Sequence, residues 1–275
     1  MLRAAGKLPG PWAAPMRPTS NRCLGAWMPF ASLRPRNTTM PWCAPAWKRA
    51  CTSWWKSRFP APLEEADSLL ELARAKKLVL QVGHLQRFNP AFQALAAQGG
   101  RPLFIDIERL APFKARGTDV DVVLDLMIHD LDLVLALAKA PIEQVSASGF
   151  RVLTNAIDIA NARIEFADGC IASVSASRVS QSPVRKLRVF RHDAYVSADL
   201  QEQRLRHVRK GGEGILESEQ AFERADELRA QAEAFVEAVR GHAVPLVTGE
   251  QGRQALALAL QVGRLVEERL ARHGA

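Results

Sequence analysis

From Leu63 onward the apolar positions keep clear periods. Leu63–Lys76 (LEEADSLLELARAK) repeats its apolar residues at helical spacing, with acids in its first turn and bases in its last, as the helix dipole prefers. Leu78–Val82 (LVLQV) is a short apolar run of the kind found in buried parallel strands. A strand directly after a helix predicts the last helix–strand unit of a doubly wound sheet. Asn89–Ala97 reads as a short helix, Leu103–Leu110 alternates as a strand does, and Val120–Ala138 predicts a long apolar helix. Strands are then expected over 145–150, 157–166, 170–178, 185–191, 194–200 and 204–210, with Asp168–Gly169 as a hairpin turn. Amphipathic helices over Ser218–Val239 and Gly249–Arg272 close the pattern. The predicted fold class is α+β: an open-faced, mostly antiparallel β-sheet flanked by helices, preceded by a remnant of a doubly wound α/β Rossmann domain.

Before Pro62 no helix or strand period lasts. All 6 Trp, nine of the 16 Pro and three of the 4 Cys lie within residues 1–61. The expected organisation is an aberrant, disordered segment over 1–61, the last helix–strand unit of a Rossmann domain and a linker over 62–100, and a substrate-binding and oligomerisation domain over 101–275. The net charge of +8 invites a nucleic-acid reading, but its distribution argues otherwise. Residues 1–63 hold ten Lys or Arg and no acid, so they carry +10 and the remainder carries −2. No eighteen-residue apolar window predicts a membrane span. Neither a signal peptide nor a disulfide framework is expected, and free thiols fit a cytoplasmic protein.

Candidate chemistry gathers in Leu124–Leu135. Asp125 and His129 are four apart on a predicted helix and share a face; Asp132 can join them, whereas Asp130 points elsewhere. A carboxylate one turn from an imidazole can fix its tautomer, and the same spacing also fits a buried structural pair. His84 follows the strand LVLQV, where ligands bind in open α/β sheets; a loop histidine before a helix capped by Asn89 fits equally. Lys114, Arg116, Arg185, Lys186 and Arg188 could meet an anionic substrate or be solvated charges. No metal-ligand spacing, P-loop or G-x-G-x-x-G is present.

EEADSLLELARAKKLVLQVGHLQRFNP followed by VVLDLMIHDLDLVLAL resembles the Gfo/Idh/MocA oxidoreductases over 62–275. Asp125, His129 and Asp132 fall on the family's D-x-x-x-H-x-x-D, and Gly83, His84, Arg87, Phe88 and Pro90 on its G-[HY]-x-x-R-[FY]-x-P. LAPFKARGTDVDVVLDLMIHDLDLVL is similar to a subgroup acting on UDP-N-acetylglucosamine. The resemblance implies a Rossmann domain holding NAD or NADP, and hydride transfer at a sugar or nucleotide-sugar hydroxyl. It implies His129 and Asp125 as catalytic residues, with His84, Arg87, Asp132, Lys114 and Arg116 toward substrate. It also implies a homo-oligomer formed through the sheet face.

The family's E-K-P motif should end just before Leu63, yet the chain reads CTSWWKSRFPAP. A shifted reading frame accounts for this. Because Trp is TGG and Met ATG, some shifted codons are forced: Trp54/Trp55 gives Val, Trp55/Lys56 gives Glu, and Trp27/Met28/Pro29 gives Asp-Ala. Permitted codons complete HVLVEKPLSRT, which runs directly into LEEAD. Residues 1 to about 61 thus read as an out-of-frame translation. Binding of NAD or NADP by this chain is expected to be poor, and a non-catalytic interaction module is the rival reading.

Overall fold

The computed structural model describes residues 52–55 (backbone), 63–114, 120–212 and 214–273. The expectation of disorder over 1–61 therefore lies outside the described residues except at 52–55.

The described chain opens with β1 (Thr52–Trp55), α1 (Leu63–Lys76) and β2 (Val79–Val82). β1 runs parallel to β2, pairing Thr52 with Val79 and Trp55 with Val82. The helix–strand unit expected here thus has a parallel neighbour. Leu69, Leu70 and Ala73 of α1 close over Leu80 in a small core of their own. A 3₁₀ turn (Leu85–Phe88) then leads into α2 (Pro90–Ala97). Asn89 caps α2: its side chain accepts from the backbone N–H of Ala91 and Phe92, and Pro90 occupies the first helical position, where its missing N–H costs nothing.

β3 (Phe104–Leu110) enters the main sheet. A π turn (Val123–Met127) feeds α3 (Ile128–Ala138), and β4 (Ile142–Phe150), β5 (Ile159–Phe166), β6 (Ile171–Ser177), β7 (Val184–Phe190), β8 (Ala194–Asp199), β9 (Arg204–Gly211) and β10 (Gly214–Ala221) follow. α4 (Glu227–Val239) and α5 (Gly249–His273) end the described fold. The eight strands lie in the order β10-β9-β8-β7-β3-β6-β5-β4. Every pairing is antiparallel except β3 with β6.

Alternation sets the two faces. Ile105 and Ile107 of β3, Ala160, Ala162 and Ile164 of β5, and Ala172, Val174 and Ala176 of β6 point inward. They pack against Leu131 and Val134 of α3 and Ala255, Ala259, Val262 and Val266 of α5, burial that supplies the main driving force.

Two expectations are corrected. The region read as one long helix begins as a π turn, because the Asp121 carboxylate takes the Leu124 N–H and the Ile157 carbonyl takes the Val122 N–H. Ser218–Ala221, read as the start of a helix, is the second half of β10, paired residue for residue with β9. Every residue of β10 is exposed, so its alternation carries no inside–outside signal.

Candidate functional site

The end of β2 delivers His84. Its backbone N–H bonds the Val82 carbonyl at 3.0 Å, which tightens the chain into the 3₁₀ turn. There His84 is fully buried and meets His129 on the first turn of α3, Nδ1 to Nδ1, at 3.2 Å. The rings stand edge to face, 84° apart, with centroids at 5.3 Å. One turn further along α3, Asp132 lies 3.9 Å from Arg87 Nε. Arg87 also donates to the Leu246 carbonyl at 3.3 Å and sits over the Phe92 ring. Two sequence-distant motifs thus converge on one buried cluster of two imidazoles, one guanidinium and one carboxylate.

Burial dominates the electrostatics. It pushes the His84 pKa down, against the raising effect of Asp132, and pushes the Asp132 pKa up, against the lowering effects of His84 and Arg87. Asp132 Oδ2 and His84 Nε2 are both buried without a hydrogen-bond partner. Unsatisfied groups of this kind are expensive unless the site uses them.

The other expected residues divide. Asp125 is half-buried in the π turn, where helical spacing no longer stacks residues four apart. His84 and Arg87, expected toward substrate, are buried against α3. Lys114 is exposed beyond β3, and Arg116 lies outside the described residues. Arg185 and Lys186 are exposed, while Arg188 pairs with Asp106 at 2.6 Å on the outward face of the sheet, as solvated strand charges do.

Sequence reasoning missed Arg109. It pairs with Asp130 through two hydrogen bonds, 2.7 and 2.6 Å, with both side chains buried. This is the partner toward which Asp130 points, away from the histidines. The signal was present: Arg109 shares its parity with Ile105 and Ile107 and so faces inward. Glu227 was missed too. It accepts from Asn89 at 2.7 Å and from Gln86 at 3.3 Å, tying α4 to the turn that carries His84 and Arg87.

A dinucleotide needs a glycine turn at a strand end and a helix N-terminus for its phosphates. Among the described residues the parallel sheet has two strands. The glycines that approach it, Gly249 and Gly252 of α5, leave no cradle: a Cβ on Gly249 would meet Leu80 at 2.6 Å, and one on Gly252 would collide with Val82. These glycines serve helix–strand packing, and the described residues do not fit a dinucleotide.

Residues 100–196 match the family model described as the GFO/IDH/MocA C-terminal domain. The chain is 39% identical to the UDP-N-acetylglucosamine 3-dehydrogenase of Acidithiobacillus ferrooxidans over 221 residues, covering 78% of this chain and 71% of that one. A solved structure of that enzyme superposes with a TM-score of 0.75 at 38% identity, over 78% of this chain and 71% of the other. The scyllo-inositol 2-dehydrogenase (NAD(+)) of Bacillus subtilis is 31% identical over 134 residues, 43% of this chain and 39% of that one.

Proposed function

The chain belongs to the Gfo/Idh/MocA family of oxidoreductases, and on that premise we propose that its α+β domain holds a sugar or nucleotide-sugar hydroxyl against His129. UDP-N-acetylglucosamine is the first candidate, because the relative at 39% identity is a dehydrogenase of that nucleotide sugar. His129 is the acid/base group, and Asp125 orients substrate or imidazole. Lys114 and Arg116 precede the π turn in sequence and are assigned to the anionic end of the substrate. The observation that carries this reading is the burial of His84, Arg87 and Asp132 in one cluster around His129. Buried titratable groups with shifted pKa values cluster at functional sites.

We further propose that this chain is impaired as an oxidoreductase. Family members hold NAD or NADP in a Rossmann domain. Here the sequence over 1–61 carries no glycine fingerprint and no E-K-P, and the described residues offer no phosphate cradle. Isothermal titration with NAD and NADP tests this. No binding is expected, and micromolar binding by this chain would refute the impairment.

One observation favours a second reading, a non-catalytic oligomerisation module. Strand register sets Ile171, Phe104, Phe190, Tyr195 and Val208 side by side across the outward face. The Phe104 and Phe190 rings lie 5.8 Å apart and the Phe190 and Tyr195 rings 4.9 Å. Such a stripe fits a second copy of the chain. Dimerisation without nucleotide binding would favour the module.

A further inference from the structure

We propose that Glu227 is a positioning residue: with Gln231 four residues on, it clamps the chain on both sides of His84 and so sets where His84 meets His129. This role rests on the reading of His129 as the acid/base group.

α4 meets the segment that carries His84 through its first turns. Each carboxylate oxygen of Glu227 takes one donor: Oε1 accepts from Asn89 Nδ2 at 2.7 Å, and Oε2 accepts from Gln86 Nε2 at 3.3 Å. Those two donors bracket Arg87 and Phe88, so one side chain spans the 3₁₀ turn. Gln231 lies one turn further along the same face of α4. Its Nε2 donates to the Val82 carbonyl at 3.3 Å, and its own backbone carbonyl accepts from Gln81 Nε2 at 3.1 Å. The Val82 carbonyl is also the one that takes the His84 N–H. α4 therefore grips the residue two before His84 and the residue two after it.

Apolar contact sets no such register. Toward this segment α4 presents Ala230 and Ala234, which pack on the small cluster of Val82, Phe88 and Val247. Methyl groups bury little area and impose no direction, whereas hydrogen bonds fix distance and angle. The far end of the turn is tied to the sheet separately, by Asn89 Nδ2 donating to the Leu200 carbonyl at 2.9 Å. Burial raises the Glu227 carboxyl pKa, against the lowering bond from Asn89. Two facing donors offset that cost. An ionised carboxylate accepts through both oxygens, whereas a glutamine offers one acceptor oxygen and sets its NH₂ against the other donor.

Histidine-labelled imidazole spectra of the full chain test the idea, alongside thermal melts. They are recorded at about pH 8, where ordinary imidazoles are neutral. Glu227→Gln should shift the His84 and His129 resonances well below the melting transition. Gln86→Met severs the same link from the other side and should shift them likewise. Glu227→Gln combined with Gln86→Glu reverses the pair: the new amide accepts from Asn89 and donates to the new carboxylate, and the resonances should return toward the parent positions. Glu233→Gln, which breaks an exposed pair with Arg229 on the same helix, should leave them unmoved. Unmoved imidazoles in Glu227→Gln would overturn the proposal, even with a lowered melting midpoint, the mark of a purely structural bond. So would a shift that the reversed pair does not restore. If Glu227→Gln does not fold, Gln86→Met and the reversed pair decide. Titration with UDP-N-acetylglucosamine separates the two levels. Glu227→Gln should weaken binding about tenfold, on the scale of one hydrogen bond to a charged group, and binding unchanged by it would count against the clamp. The expected shifts in a chain that does not bind the sugar refute the substrate reading alone. Sugar binding with unmoved imidazoles refutes the positioning role alone.

Discussion

Replacing Arg109 by Met should cost the protein more than any exposed charge substitution. The guanidinium makes two hydrogen bonds to Asp130, at 2.7 and 2.6 Å, and the two residues are 5% and 1% exposed. Burial alone disfavours the charge on Arg109, but Asp130 more than compensates. Methionine fills most of the same volume and removes the cation. A buried carboxylate then stays behind with neither water nor a counter-charge, a loss of about 3–5 kcal/mol. At about 1.4 kcal/mol per decade, that is two to four powers of ten in the folding equilibrium. With a urea dependence of roughly 2 kcal/mol per M, the midpoint followed by far-UV circular dichroism should fall by about 2 M. Arg109→Met with Asp130→Leu should recover most of the loss, since a buried ion pair and an apolar pair of similar volume are close in free energy. Arg206→Met, which breaks an exposed 2.7 Å pair with Glu217, should leave the midpoint unchanged. A single-variant loss below about 1 kcal/mol, or a double variant no better than the single, would refute the reasoning.

Other expectations follow from the same structure. Gly252→Ala should loosen α5 from β2, because its Cβ collides with Val82, whereas Gly263→Ala on the same helix meets nothing within 4 Å and should stabilise by about 0.5–1 kcal/mol; paired thermal melts read the opposite signs. Asp158 lies in a cradle of the Val152, Leu153 and Thr154 N–H groups and the Thr154 hydroxyl, and although burial raises its pKa, those bonds bring it below the usual carboxylate range. A lowered folded pKa contributes stability above the ordinary carboxylate range and loses it as pH falls through the lowered value, so the deficit of Asp158→Ala, about 2 kcal/mol at neutral pH, should shrink on acidification below about pH 4. Burial pushes the Cys170 thiol up to about 11, so mass spectrometry after iodoacetamide treatment at neutral pH should find Cys170 unmodified until the protein is denatured.

Much of this fold could be read from pattern, and the failures have physical causes. β3, β5 and β6 alternate because one face is covered by helices, so the sequence displays their period directly. β10 is exposed on both faces, and GILESEQA gave no reason to separate it from the helix that follows. The π turn escaped notice because it depends on Asp121 and on the Ile157 carbonyl, a contact that spacing along one segment does not encode. The same holds for the site. D-x-x-x-H-x-x-D put His129 and Asp132 on one helix segment, but their meeting with His84 and Arg87 depends on where β2 ends. Arg109 was discoverable from its parity alone, had a charge on the inward face been weighed as a partner in waiting. The parallel pairing of β1 with β2 was not foreseen at all, because Thr52–Trp55 was judged by its surrounding composition.

We propose that the substrate half is intact and that a shifted frame has replaced the nucleotide half. The most direct test is reduction of NAD or NADP, followed by nicotinamide absorbance with UDP-N-acetylglucosamine, in two chains side by side: this one, and one restored by replacing residues 1–61 with the whole segment that the Acidithiobacillus ferrooxidans relative carries ahead of the matched residues. The account predicts turnover by the restored chain, its loss on His129→Asn, and none by the present chain. Turnover by the present chain would contradict it.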